Sequence, residues 1–266
     1  MLPKQFAENI PQSERSYADV VLCTALDIGD GLLKCGAEIQ RVEDTIQRIG
    51  FAYGACHIEV FAITGMITAA IRMPDGDYSS QVRRVYSSSN DFRSLEDLNA
   101  LSRRICEHPI DLDEVQKEIA AIKKHKGEGR VLSIFGGTIA AAGFAVFFGG
   151  GVFDAIVAGL IGLVMLILGA TLLRKRGIFS YTLINSFLAG SLALLTARFV
   201  PALMVDKVNI ATIMLLIPGS SFCNSLRDLF SGDTFAGSAR LVQSLLLALT
   251  IASGYSLAIL LFGGVL

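Results

Sequence analysis

Several absences narrow the possibilities before any motif is found. The chain has no tryptophan and none of the short signatures of common chemistries. No GxxxxGK[ST] run cradles nucleotide phosphates, no HExxH holds zinc on a helix, and no GxSxG presents a serine nucleophile. Five cysteines (Cys23, Cys35, Cys56, Cys106 and Cys223) are odd in number and never spaced CxxC, so they read as reduced small hydrophobes. A basic surplus is missing too: 23 Lys and Arg against 24 Asp and Glu give a formal charge of −1. That balance argues against a nucleic-acid partner, because phosphate binding needs excess positive charge. Met1–Ser16 is polar and lacks the apolar core of a signal peptide, which predicts a front half on the cytoplasmic side.

Charge is scarce mainly in one half of the chain. At 52% the hydrophobic fraction is only slightly above that of a soluble domain, so the total decides little. Residues 1–130, however, carry 16 of the 23 basic and 20 of the 24 acidic residues. Residues 131–266 contain five apolar segments, at 131–149, 152–173, 179–199, 207–223 and 238–263. A bilayer crossing takes roughly 20 mostly apolar residues. The expected architecture is therefore an α+β cytosolic N-terminal domain (1–125) followed by an all-α five-helix transmembrane bundle (126–266).

Basic residues alternate with those segments. Lys123, Lys124, Lys126 and Arg130 precede the first, Arg174-Lys175-Arg176 follow the second, and Arg227 with Arg240 follow the fourth. The pattern predicts a multi-pass protein of the cell membrane with its N-terminus cytoplasmic and its C-terminus outside. Small residues at four-residue spacing, Gly136/Ala140 and Ala189/Ala193/Ala197, predict close helix packing. Asp154 and Arg198 are placed near the interfaces, where charge is tolerated.

In the front half, residues 14–54 predict two helices broken at Gly36, with Pro11 and Ser13 as entry and cap candidates. Val20, Val21, Leu22, Leu26, Leu32 and Leu33 supply the first helix's apolar residues; Ile39, Val42, Ile46 and Ile49 form one stripe on the second. His57–Ile63 and Met66–Met73 predict a hairpin, and Gln81–Tyr86 a third strand beyond the turn Pro74-Asp75-Gly76-Asp77. Ser94 with Asp97 predicts a capped helix, and Asp111 opens another. His57 and Glu59 share a strand face without making a metal site, and no motif asks for a cofactor. Glu38, Arg41, Glu43 and Asp44 are the densest charge cluster near a glycine break.

The fourth segment is interrupted. Pro218-Gly219-Ser220-Ser221 stands between the apolar Val208–Ile217 and Phe222–Phe230. Proline removes a backbone donor and disfavours helix at Ile217, while Ser220 and Ser221 are N-cap types for a second half-helix. Such a break aims amide N–H groups at a carboxylate, with Asn224 and Arg227 extending the polar surface on the next turn.

Three stretches, GAEIQRVEDTIQRI (36–49), TGMITAAIRMPDG (64–76) and IPGSSFCNSLRDLFSGD (217–233), resemble the threonine/serine exporter family, in order along nearly the whole chain. The resemblance implies a cytosolic domain followed by membrane helices that number about ten in two halves. With five spans the chain is similar to the large subunit of the split form, whose small membrane subunit supplies the remaining helices. Split relatives include a succinate exporter. The resemblance thus implies a secondary transporter subunit exporting threonine, serine or a dicarboxylate such as succinate. It would sit in membrane lipid, with a small partner subunit or a second copy of itself completing the bundle. Glu38, Arg41 and Glu43 fall in the first matching stretch and are candidates for gating or domain function. Pro218, Gly219, Ser220, Ser221, Asn224 and Arg227 are candidates for substrate binding. Two readings of other classes stand beside this one: a membrane-tethered hydrolytic enzyme using Glu38, Arg41 or His57, and a non-transporting sensor or scaffold.

Overall fold

The structure, a computed structural model, describes residues 16–86, 91–124, 130–171 and 177–263. Pro11, Ser13, Lys126 and Arg174–Arg176 lie outside them. The chain is mostly helical, with one small sheet. It divides into two compact units: one combines the described residues of Met1–Gly127 with Cys223–Arg240, the other those of Glu128–Phe222 with Leu241–Leu266.

In the first unit, helix α1 (Tyr17–Lys34) is capped by Ser16, whose side chain accepts from the Asp19 amide. It ends at Gly36, where φ is 88°, a left-handed conformation that glycine adopts without penalty. Helix α2 (Ile39–Ala52) follows, and its stripe Ile39, Val42, Ile46 and Ile49 is fully buried. Strands β1 (His57–Ile63), β2 (Met66–Arg72) and β3 (Tyr78–Arg84) form an antiparallel sheet in the order β1-β2-β3. The register sets Phe61 opposite Thr68 and Thr68 opposite Val82. Their alternating pattern sends Ile58, Ile67 and Ile71 into the core, and β3 begins three residues before the predicted third strand. Helix α3 (Phe92–Glu107) is capped by Asp91 rather than by Ser94, whose amide and hydroxyl both bond the Asp91 carboxylate. Helix α4 (Leu112–Lys124) starts as expected after Asp111.

The second unit contains α5 (Arg130–Phe147), α6 (Val152–Thr171), α7 (Ile178–Phe199) and α8 (Val205–Met214). Helices α9 (Gly219–Phe230) and α10 (Thr234–Phe262) each carry residues of both units. Among the described residues three helices (α6, α7 and α10) are long and apolar enough to cross a membrane, or four if the bent pair α8–α9 is one span; α5 is a shorter apolar helix. Ala189, Ala193 and Ala197 are buried as their spacing predicts. On α5 the packing residues are one position further on. A Cβ on Gly136 would meet nothing within 4 Å, whereas one on Gly137 would lie 2.6 Å from Leu166. Ala141 is fully buried, and its Cβ would lie 2.9 Å from one added at Gly162. One residue rotates a helix face by about 100°, which turns Gly136 outward. Asp154, 3% exposed, accepts from the amides of Gly151 and Met204 at 2.7 and 2.8 Å, so its charge is spent on backbone capping.

Candidate functional site

The densest polar arrangement in the first unit joins the turn between α1 and α2 to the segment Cys223–Arg240. Asn224 Nδ2 donates to the Gly36 carbonyl at 3.1 Å, and Arg227 pairs with Glu38. Asp228 Oδ1 accepts from the Ile39 amide at 3.4 Å. Arg240 then donates through Nη1 to Asp228 Oδ2 and through Nη2 to the Ala37 carbonyl, both at 3.1 Å. Because α2 has no side-chain cap of its own, Asp228 serves as one, putting a negative charge at the positive end of that helix.

Burial ranks these contacts. Asp228 and Arg240 have side chains only 1% and 12% exposed, whereas Arg227 is 63% exposed against 26% for Glu38. An exposed pair contributes about 0–1 kcal/mol, while removing one partner of a buried pair costs about 3–5 kcal/mol. The Asp228–Arg240 pair is therefore the centre of the latch, and Glu38–Arg227 its rim. Backbone packing supports it: a Cβ on Gly237 would lie 2.8 Å from the Leu229 amide and 2.9 Å from the Ser225 carbonyl, so the first turn of α10 lies directly on α9. Ala236 joins the core of the unit at 3% exposure.

Glu43 closes another edge. Its Oε1 accepts from the Ala62 amide at 2.7 Å on the outer side of β1, satisfying a donor that the sheet leaves over. Burial raises its carboxyl above the ordinary range, the Ala62 hydrogen bond opposes this, and nearby Asp233 adds to it. Arg41 is exposed and stands outside the latch. His57 Nε2 and Glu59 Oε1 approach to 3.3 Å on an exposed strand face. Among the described residues no three His, Cys, Asp or Glu side chains gather as metal ligands.

The break in the fourth apolar segment is real in the backbone. Helices α8 and α9 meet at 57°. Pro218 takes the cap position of α9, its carbonyl accepting from the Phe222 amide at 2.9 Å, so Ser220 and Ser221 fall inside the first turn rather than capping it. Pro218, Gly219, Ser220 and Ser221 belong to the second unit; Asn224 and Arg227, expected to extend the same surface, belong to the first and bind the α1–α2 turn. Asp228 had no assigned role in the sequence, and Arg240 counted only as a topology charge. The available signal was scarcity, since residues 131–266 contain just four acids, Asp154, Asp206, Asp228 and Asp233.

Among the described residues, three helices long and apolar enough to cross a membrane, a helix pair bent at Pro218 and a small helix-and-sheet unit are features of a membrane protein. The chain belongs to the threonine/serine exporter family: residues 24–262 match the family described as "Putative threonine/serine exporter". Membership makes it a transporter and not an enzyme. It is 24% identical over 255 residues to the "Probable succinate transporter subunit YjjP" of Klebsiella aerogenes, an alignment covering 95% of this chain and 98% of that protein. No solved structure matches.

Proposed function

We propose that this chain is one subunit of a secondary exporter that moves threonine, serine or a dicarboxylate such as succinate out of the bacterial cytoplasm. The family supports the first two substrates and the Klebsiella aerogenes relative the third. The 57° break between α8 and α9 is the observation that carries the reading. A helix N-terminus within a span offers its positive end to a substrate carboxylate, and Pro218, Gly219, Ser220 and Ser221 form that end. Asn224 and Arg227 act as part of the latch, through which the cytosolic domain grips the second half of the broken span and gates it. Glu38 and Glu43 serve the same gate, and Arg41 presents charge beside it.

The five-span topology has independent support. Residues 223–240 share a unit with residues 16–124, which calls for an even number of crossings between them. Helices α5, α6, α7 and the α8–α9 pair supply four, and α10 the fifth. At 1.5 Å per residue, the 18 residues of α5 reach about 27 Å, close to the thickness of the hydrocarbon core. The basic residues that flank the apolar segments favour the cytoplasmic side for the N-terminal domain, and a small membrane subunit or a second copy completes the bundle in the lipid.

The test is efflux. Cells lacking the chain, loaded with threonine- or serine-containing dipeptides or grown fermentatively, should retain one of the three metabolites until chain and small subunit are co-expressed. Pro218→Leu should abolish the restored efflux while the protein stays in the membrane. Full export by that variant would refute the broken-helix reading.

A further inference from the structure

The second unit holds a group of oxygen acceptors that lack donors. Asn185 of α7 is fully buried, out of reach of lipid or a partner subunit. Its Nδ2 donates to the Tyr181 carbonyl at 3.1 Å, which fixes the amide, and its Oδ1 is buried with no hydrogen-bond partner. A buried acceptor left bare is costly, and a bound ligand removes the cost. Two more acceptors stand where α8 ends. The Met214 carbonyl has no donor four residues on because Pro218 lacks an N–H. The Leu215 carbonyl has none because the Gly219 amide donates to Ile217 instead, at 2.8 Å.

Helix geometry brings the three together. Tyr255 of α10 marks a common level: its hydroxyl and Thr212 Oγ1 are 2.8 Å apart, and its ring would lie 2.9 Å from a Cβ on Gly190. Helices α7 and α8, joined by residues 200–204, run in opposite directions. From that level Asn185 is about 7.5 Å back along α7. Met214 and Leu215 are about 3–4.5 Å further along α8, on the same side, with carbonyls aimed at the break. The faces agree as well. A Cβ on Gly169 of α6 would lie 2.6 Å from Tyr181, and one on Gly162 would lie 3.2 Å from Leu215, so α6 borders both helices. One turn beyond Tyr181, Asn185 is rotated by about 40° from α6 toward the buried stripe Ala189 and Ala193. That stripe shares a core with Val208 and Ala211 of α8.

We propose that Asn185 Oδ1 and the Met214 and Leu215 carbonyls bind a sodium ion at the C-terminal end of α8. Neutral oxygens at the negative end of a helix attract a cation and offer it no proton site. Between residues 131 and 222 the only acids are Asp154, held by backbone amides, and Asp206, in the first turn of α8, and residues 241–266 contain none. Without a carboxylate the site takes neither a proton nor the divalent ions that carboxylates bind. Its use as the inward-moving ion that drives export rests on the exporter reading, in which α9 holds the substrate on the other side of the same break; the binding itself does not.

The experiment is thermal unfolding of the purified full chain in detergent, in NaCl, KCl and choline chloride at equal ionic strength, beside equilibrium dialysis against radiolabelled sodium. The melting temperature should rise with NaCl and level off, as binding to the folded state alone requires, and should not rise in choline chloride. Asn185→Leu should weaken sodium binding about tenfold or more. Pro218→Ala, which returns a donor to the Met214 carbonyl, should weaken it in the same direction and decides the matter if the first variant fails to fold. Three results would each overturn the site: no saturable sodium binding, binding unchanged in both variants, or potassium held as tightly as sodium. Sodium is read on the purified chain without export, so failure of efflux and failure of this site remain distinguishable.

Discussion

Removing the charge of Asp228 tests the latch most directly. Asp228→Asn keeps an oxygen for the Ile39 amide, since asparagine is as good a cap as aspartate, but strips the counter-ion from Arg240. The guanidinium, 12% exposed, keeps the Ala37 carbonyl but loses its buried counter-ion, at a cost of about 3–5 kcal/mol. Cys35 provides the readout. It precedes the latched turn, is 8% exposed, and burial pushes its thiol up to about 11 with Asp91 adding to the rise, so it reacts slowly until the turn opens. In a variant whose other four cysteines are replaced, maleimide labelling of Cys35 should accelerate on the order of 100- to 1,000-fold, at a decade per 1.4 kcal/mol. Asp228→Leu combined with Arg240→Met, which leaves no orphaned charge, should recover most of the protection. Acceleration below about threefold in Asp228→Asn would refute the reasoning, because it would mean that the pair contributes less than about 0.7 kcal/mol to holding the turn.

Packing and titration give further expectations. Gly254→Ala should lower the melting temperature of the detergent-solubilised chain and impair export, because its Cβ would fall onto Ser186 Oγ and 2.9 Å from the Leu183 carbonyl, both on α7; Gly136→Ala, whose Cβ meets nothing within 4 Å, is the tolerated control. Gly237→Ala should loosen α10 from α9 and raise Cys35 labelling with no charge changed, since two of the three nearest obstructing atoms, the Leu229 amide and the Ser225 carbonyl, are backbone. Glu43 has its carboxyl raised by burial, so the native state holds its proton more tightly than the unfolded chain. Its contribution to stability is present at pH below the unfolded value of about 4.3 and is lost as pH rises through the higher folded value. Glu43→Gln should flatten that dependence in denaturant titrations and leave the chain no less stable at pH 7. A variant with an unchanged pH profile would show that the Ala62 hydrogen bond offsets burial.

Much of the molecule could be read locally. The stripe Ile39, Val42, Ile46 and Ile49 predicted α2 and its buried face because four residues at helical spacing can share only one side. The hairpin strands followed from alternation, and the break at Pro218 from a missing backbone donor. Local rules failed where two candidates were equivalent locally. Asp91 and Ser94 both cap helices, and the backbone chose the aspartate, three residues earlier. Gly136 and Gly137 are equally small, and only the position of α6 decides which one packs.

The sequence by itself therefore determined the class of protein. An almost uncharged second half with long apolar runs has few places to go but a membrane, and a charged, periodic first half supplies nearly all of a separate core. Tertiary structure alone decided how the polar residues combine. Glu38 and Arg227 were legible as separate features, yet their pairing, 189 residues apart, follows from no spacing rule. Nor does anything local distinguish Asp228, which is buried, from Asp233, which is half-exposed. Helix and strand periods act over a few residues, so they can be read along the chain. Which charge is buried against which is settled by the packing of whole elements, where desolvation penalises every arrangement that leaves a charge unpaired.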